Sequence, residues 1–343
     1  MRAILYSGPG GIDVVSIGQA PDPVPAAGQI RVRVEAAGLN RADILQRRGA
    51  YPAPPGWPPD IPGLEYAGVV EHLGPGVTRW RTGDRVMGLV GGGAQAELLV
   101  THEDEALPAP VNLTLTDAAA IPEAFFTAYD ALHARGRLLR GECVLIHAVA
   151  SGLGTAAVQL AKVIGATVLG TTRSPNKLAA LRELGLDVGI DSSSGSFREQ
   201  VAMPVHLILD VLGGPAFQDN LAVLAPRGRL VMLGFLQGPL AAQANLDIIL
   251  RKRLEVIGSA MRSRGAEERS SLVAEFRDRV LPLFGPHIPS DIPMHSFSHP
   301  ARIGALLRPI VHAVYPVAKI AEAHRAMEGD QTIGKLVLSW GAG

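Results

Sequence analysis

The sequence predicts an α/β protein of two domains, a doubly wound parallel sheet joined to a mostly β domain, and three observations carry that expectation. The chain has 343 residues, more than one ordinary hydrophobic core encloses. Its first stretch, to about residue 120, is rich in glycine and proline and holds short alternating runs. From about residue 122 apolar strands alternate with helix-length segments, the pattern of a parallel sheet covered by helices on both faces.

In chain order, IRVRVEAAG, EYAGVVEHLG and AELLV read as strands because apolar and polar residues alternate. PDPVPAAGQ, LGPGV, RTGD and VGGG separate them as turns, so the first domain is expected to be compact and partly barrel-like. CVLIHA, TVLGTT, HLILDV, GRLVMLGF and LEVIGSA then read as strands, with GLGTAAVQLAKVIG, SPNKLAALRELG and PAFQDNLAVLA as helices among them. Residues 266–285 read as a helix, HIPSDIPMHSFSHP as a loop, VAKIAEAHRAME as a helix and GKLVLSW as a last strand. There is no internal repeat or low-complexity tract.

Hydrophobic residues make up 47% and charged residues 19%, which suits a globular core and argues against disorder. Lysine plus arginine (32) balances aspartate plus glutamate (32), so no net field favours nucleic acid or an anionic membrane, and a small-molecule ligand is expected. The N-terminus carries no secretory-type apolar run and no segment is long and apolar enough to span a bilayer; the expected location is the cytoplasm. The single cysteine, Cys143, heads an apolar run and reads as packing.

The strand CVLIHA runs into the small-residue bend VASGLG and then a helix, an arrangement that offers free backbone amides to a pyrophosphate at a helix N-terminus. The glycine fingerprint is incomplete: Val149 and Ser151 stand in its first two glycine positions and Gly154 in the third. His147, Ala148, Ser151, Gly152, Leu153 and Gly154 are the expected surroundings of a dinucleotide here, with His147 a structural hydrogen-bonder rather than a base. At the tip of TVLGTT an acid would grip an adenosine ribose. The chain instead reads Thr172, Arg173, Ser174 and then Lys177, cations and hydroxyls that suit a 2′-phosphate, so the expected cofactor is NADPH. Gly234 and Phe235 close LVMLGF, and ligands gather at the carboxyl ends of parallel strands.

The segments LNRADILQRRGAYPAPPG, IPGLEYAGVVEHLG, GDRVMGLVGGGAQAE, AAAIPEAFFTAYDAL, VLIHAVASGLGTAAVQLAK and IGKLVL together resemble the quinone oxidoreductases of the medium-chain dehydrogenase/reductase superfamily, above all the zeta-crystallin-related, stress-inducible NADPH-dependent branch. The resemblance implies a GroES-like catalytic domain over residues 1–122, a Rossmann domain over 123–260 and a return segment over 261–343 that completes the catalytic domain, with a substrate cleft between the domains. Zinc-dependent relatives place a cysteine where this chain has Asn40 and a histidine where it has Leu64, and insert a four-cysteine lobe that this chain skips; no metal is expected.

The same resemblance places Asn40 and Tyr51 toward nicotinamide and substrate as oxyanion donors, Ser151 beside them, Thr127 near the nicotinamide and Lys335 within reach. Read on their own, Asn40 suits a helix cap, Tyr51 an aromatic anchor for a proline-rich loop, and Asp43 the ordering of a first helical turn. Some members hold the adenosine phosphate with a tyrosine where this chain has Ser192. The expected reaction is NADPH-dependent reduction of quinones without zinc, with enal or enone reduction, or cofactor binding with little turnover, as alternatives. RNA binding finds no basic stripe with interleaved aromatics. LEVIGSA, as a sheet edge, suggests a homodimer.

Overall fold

A computed structural model describes residues 1–285 and 306–341. They form two compact units. Met1–Phe126 packs with residues 262–285 and 308–341 as one unit, and Thr127–Met261 form the other.

The second unit is a parallel sheet of six strands in the spatial order Val188–Asp191, Thr167–Thr172, Cys143–Ile146, Val205–Asp210, Leu224–Met232 and Glu255–Gly258. Numbered along the chain this order is 3-2-1-4-5-6, that of a doubly wound dinucleotide-binding sheet. The inner strands are near-continuous apolar runs because both faces are covered; Leu145, Leu169, Ile208 and Leu230, with Ile190 from an edge strand, are buried in one core with Phe197 and Leu221. The first strand ends at Ile146, two residues before the end of CVLIHA, because Ala148 adopts the left-handed conformation at φ 47° and turns the chain out of the sheet.

The first unit is built on a seven-stranded sheet. Its long central strand, Gln29–Leu39, pairs antiparallel with Glu65–Leu73, with Leu98–His102 and with the last strand, Lys335–Ser339. The return segment is thus hydrogen-bonded into the N-terminal sheet, Leu336 lying opposite Leu39. Ile30, Val32, Leu39, Tyr66, Val70 and Leu338 are buried together. The helix Ala266–Arg279 brings Phe276 to stack on Phe126 at 4.2 Å, and Phe284 meets Phe125 edge-on at 4.8 Å.

A buried polar seam fixes the helix Ile320–Glu328 to the helix Arg41–Arg47. Arg47 bonds His324 Nδ1 at 2.9 Å and Glu328 at 2.7 Å. Because the guanidinium can only donate, His324 is neutral with its proton on Nε2, and burial, aided by the Arg47 charge, lowers its pKa to about 4.

Among the strands with no counterpart in the sequence expectation are Arg2–Tyr6 paired with Val15–Gln19, and Val311–Pro316 beside the last strand. The first two have five residues each, the first with Ala3, Ile4 and Tyr6 buried; the third has only half-buried or exposed side chains and is held by pairing rather than by burial. The proline-rich loop expected over HIPSDIPMHSFSHP lies outside the described residues. Among those described, no helix is long and apolar enough to cross a membrane.

Candidate functional site

The polar centre of the first unit assembles where three strands and two helices meet. Glu65 opens its strand fully buried, and its carboxylate finds room because Gly38 opposite has no side chain; a Cβ there would collide with Glu65 Oε1. Lys335, also buried, starts the last strand and places Nζ 2.6 Å from Glu65 Oε1, 2.5 Å from Asn40 Oδ1 and 3.0 Å from the Leu39 carbonyl. The Asn40 amide donates back to Glu65 Oε1 at 2.9 Å. Glu65 Oε2 accepts the backbone N–H of Glu123 at 2.8 Å. An ammonium, an amide and a carboxylate thus close a ring whose partners orient one another.

Asn40 is also the N-cap of the helix Arg41–Arg47, and its backbone N–H donates to Asp43 Oδ2 at 2.7 Å. Asp43 Oδ1 accepts from Gly63 N at 3.1 Å, so Asp43 orders the first turn, and burial raises its pKa to about 6. Arg262, just past the second unit, donates to the carbonyls of Gly91 and Tyr51 at 2.8 Å each and to Gln46 Oε1 at 2.7 Å. Its guanidinium also lies 5.1 Å from the centre of the Tyr51 ring, a cation–π contact that fixes the aromatic plane. Burial raises the Tyr51 pKa, and the nearby Glu123 charge adds to the shift, so the phenol stays a hydrogen-bond donor at neutral pH.

The second unit builds the bend after its first strand. Ser151 is the N-cap of the helix Gly152–Ile164, and its Oγ accepts from Gly154 N at 3.0 Å. Gly154 sits directly on Val149; a Cβ would stand 2.6 Å from Val149 Cα. The amides of Gly152 and Leu153 open the helix, where no intrahelical acceptor precedes them, an anion-binding arrangement. His147 beneath it is buried, Nδ1 2.9 Å from Thr171 Oγ1 and Nε2 2.7 Å from Asn220 Oδ1. Both nitrogens are thus engaged and burial lowers its pKa, so it is a structural residue of the sheet.

At the tip of Thr167–Thr172, Thr172 Oγ1 accepts from Ser174 N at 3.1 Å, Arg173 is exposed and Lys177 closes a short 3-10 turn, Pro175–Lys177. Ser192 donates its N–H to the Thr172 carbonyl at 2.9 Å, beside the same tip. Gly234 and Phe235 follow the end of Leu224–Met232, with the Phe235 ring exposed. Thr127 Oγ1 is buried without a hydrogen-bond partner. Ala148, Gly152 and Leu153 belong to the bend itself.

Asn40, Tyr51 and Lys335 therefore share one unit and His147, Ser151, Gly154, Thr172, Arg173, Ser174, Lys177 and Ser192 the other. Sequence reading missed Glu65, Glu123 and Arg262. Glu65 adjoins Leu64 in the GLE segment, Glu123 looks like an ordinary acid in a first helical turn, and Arg262 in MRSRG looks like a surface charge; only the fold turns them inward.

The paired strand order, the tight bend and the return segment define a two-domain nucleotide-dependent oxidoreductase fold. The chain belongs to the medium-chain dehydrogenase/reductase superfamily: residues 26–111 match the alcohol dehydrogenase GroES-like domain, and residues 152–278 and 303–338 match the zinc-binding dehydrogenase domain. It is 30% identical to the synaptic vesicle membrane protein VAT-1 homolog of Rattus norvegicus over 98% of this chain and 84% of that protein. Mycobacterial Rv1454c complexed with NADPH superposes with a TM-score of 0.81 at 28% identity, covering 99% of this chain and 100% of that one. The quinone oxidoreductase from Coxiella burnetii gives 0.77 at 25% identity, with 99% of each chain covered. CurK enoyl reductase gives 0.81 at 26% identity, with 98% of each chain covered.

A zinc ion does not fit the first unit's polar centre. Asn40 and the buried apolar Leu64 offer no imidazole or thiolate, and the countercharge of Glu65 is already the Lys335 ammonium. Among the described residues no group of three or more His, Cys, Asp or Glu side chains is disposed to hold a metal.

Proposed function

We propose that this oxidoreductase reduces quinones with NADPH, without a metal. The observation that carries the reading is the donor set of the first unit: an amide and an ammonium locked on a buried carboxylate, beside a phenol held protonated. Such donors stabilise a developing oxyanion but do not polarise an unactivated aldehyde as zinc would, so a conjugated acceptor is favoured. NADPH would rest its diphosphate on the bend from Ala148 to Gly154 and supply the hydride. Asn40 is the oriented donor toward the acceptor oxygen, and Tyr51 donates its phenolic proton there. Lys335 holds the Asn40 carbonyl oxygen, so that the amide N–H groups stay turned one way.

The likeness to a quinone oxidoreductase and to an NADPH complex supports this reading. The likeness to enoyl reductases favours a second one, reduction of a conjugated enone by the same donors. Following NADPH absorbance against ortho-quinones, para-quinones, enals and simple aldehydes tests both: quinone turnover with inert aldehydes is expected, and absence of binding to either pyridine nucleotide removes the proposal.

Choice of nucleotide rests on Thr172, Arg173 and Ser174, with no acid at the strand tip. Arg173→Ala is expected to raise KM for NADPH by about 10- to 100-fold, the worth of a charge-assisted hydrogen bond to phosphate, and to leave NADH kinetics unchanged. Equal efficiency of the wild type with both nucleotides would contradict the assignment.

We also propose that the chain forms a homodimer through Glu255–Gly258, the edge of the parallel sheet. Val256 on that strand and Leu250 before it are 41% and 77% exposed, an apolar edge that a second copy would cover. Light scattering at micromolar concentration should give twice the chain mass; a monomeric mass rejects the interface.

A further inference from the structure

Glu123 plays no part in the reading above, yet the chain has buried one of its carboxylate oxygens with nothing to bond it. It is the second residue of the helix Pro122–Tyr129, and its backbone is pinned by the bond from its N–H to Glu65 Oε2. Oε2 of its own side chain is sealed from solvent and has no hydrogen-bond partner. Ionising such a group is costly, because the sealed oxygen loses its hydration and gains no donor in return.

The surrounding charges do not relieve it. Those facing Glu123 come from every neighbouring element: Glu65 from its strand, Lys335 from the last strand, Asp43 from the helix Arg41–Arg47, and Arg262. The two cations are committed elsewhere, Lys335 to Glu65 and Asn40, Arg262 to Gly91, Tyr51 and Gln46. Three carboxyls therefore face two cations, and one proton restores neutrality. Asp43 has donors on both oxygens, and Glu65 has the ammonium, an amide and a backbone N–H, so the proton falls to Glu123. Burial, then the Glu65 charge, raises its pKa to about 7, near the value at which an acid both holds and releases a proton at neutral pH. Tyr51 feels its charge.

We infer that Glu123 is the proton reservoir of the reduction proposed above, resupplying the Tyr51 hydroxyl, across a water, with the proton that the reduced acceptor takes up. The inference rests on that reading. A bound reduced nicotinamide would supply the hydride, giving the conjugated acceptor two electrons and a new C–H bond while it is itself oxidised. The acceptor oxygen, now an oxyanion, takes the phenolic proton of Tyr51. The O–H bond of Glu123 then breaks, its electron pair remaining on the carboxylate, and the proton passes to Tyr51; solvent reprotonates Glu123 before the next turnover.

The test pairs kinetics with a measurement on the unliganded protein. With NADPH and a reducible quinone, wild-type kcat/KM should fall as pH rises through about 7. Glu123→Gln should lose about 100-fold at neutral pH, the lower range for general acid catalysis, and lose that limb, whereas Glu123→Asp should retain a limb at a shifted pH. Without ligands, a carboxyl that ionises near 7 when folded and near 4.5 when unfolded favours the native state below 4.5, and that advantage is lost as pH rises to 7. The urea midpoint of the wild type should drop across this window more than that of Glu123→Gln. A Glu123→Gln pH–rate profile that superimposes on the wild type overturns the inference; if Glu123→Gln does not fold, an unshifted Glu123→Asp limb does so. If the wild type reduces no conjugated carbonyl, the proposed reduction fails instead, and coincident urea midpoints across pH would then overturn the retained proton separately.

Discussion

Replacing Lys335 by methionine is expected to cost about 3–5 kcal/mol of folding stability, because it strands a buried carboxylate. Glu65 is fully buried and its Oε1 takes the Lys335 ammonium at 2.6 Å and the Asn40 amide at 2.9 Å. Methionine matches the aliphatic stem but supplies no charge, so Glu65 must either ionise uncompensated or take up a proton. Asn40 also loses its partner at Oδ1 and becomes free to flip, so turnover should fall with stability. Glu65→Gln alone strands the ammonium and should cost a similar amount, while the double variant Lys335→Met, Glu65→Gln should recover most of the loss. Urea unfolding of the four proteins at pH 7 gives the coupling. A single-variant loss below about 1 kcal/mol, within the range of an exposed pair, would show that the ring is not buried as described.

Gly154→Ala is expected to damage both folding and nucleotide binding. The new Cβ would stand 2.6 Å from Val149 Cα, and backbone cannot yield as a flexible side-chain tip can. Either the helix Gly152–Ile164 or the strand before it must move, at about 1–3 kcal/mol for overpacking. The displacement also breaks the Ser151 cap on Gly154 and shifts the amides that would meet the diphosphate. A shift of about 1 Å costs on the order of 100-fold in turnover. Thermal unfolding and NADPH calorimetry on the same preparation separate the two effects; wild-type affinity and melting temperature together would mean that the bend has more room than Val149 leaves.

The parallel sheet was legible because its strands are bounded apolar runs separated by helix-length amphipathic segments, a pattern that survives without tertiary information. The tight bend was legible from small residues in context, despite two missing glycines. The first unit was harder to read. Arg2–Tyr6 pairs with Val15–Gln19 and Val311–Pro316 with Lys335–Ser339, and neither short run announces its partner by itself. Asn40, Tyr51 and Lys335 came from family likeness rather than from spacing, since they lie nearly three hundred residues apart at the extremes. Glu65, Glu123 and Arg262 carry no local mark at all. An acid or a guanidinium in a sequence looks solvated, and burial becomes visible only when strands and helices converge on it.

The connection of Lys335–Ser339 to Gln29–Leu39 also bears on how the polypeptide matures during synthesis. The N-terminal sheet cannot pair Glu65 with its ammonium until Lys335 has been made, whereas the segment between has all six of its own strands well before that point. The middle of the molecule can consolidate first, as locally closed units do, while the amino-terminal portion waits on the ribosome with its acidic centre unbalanced. Emergence of Lys335–Ser339 is then the event that completes the first unit, and a chain lacking that strand would keep its parallel sheet yet leave Glu65 without its ammonium.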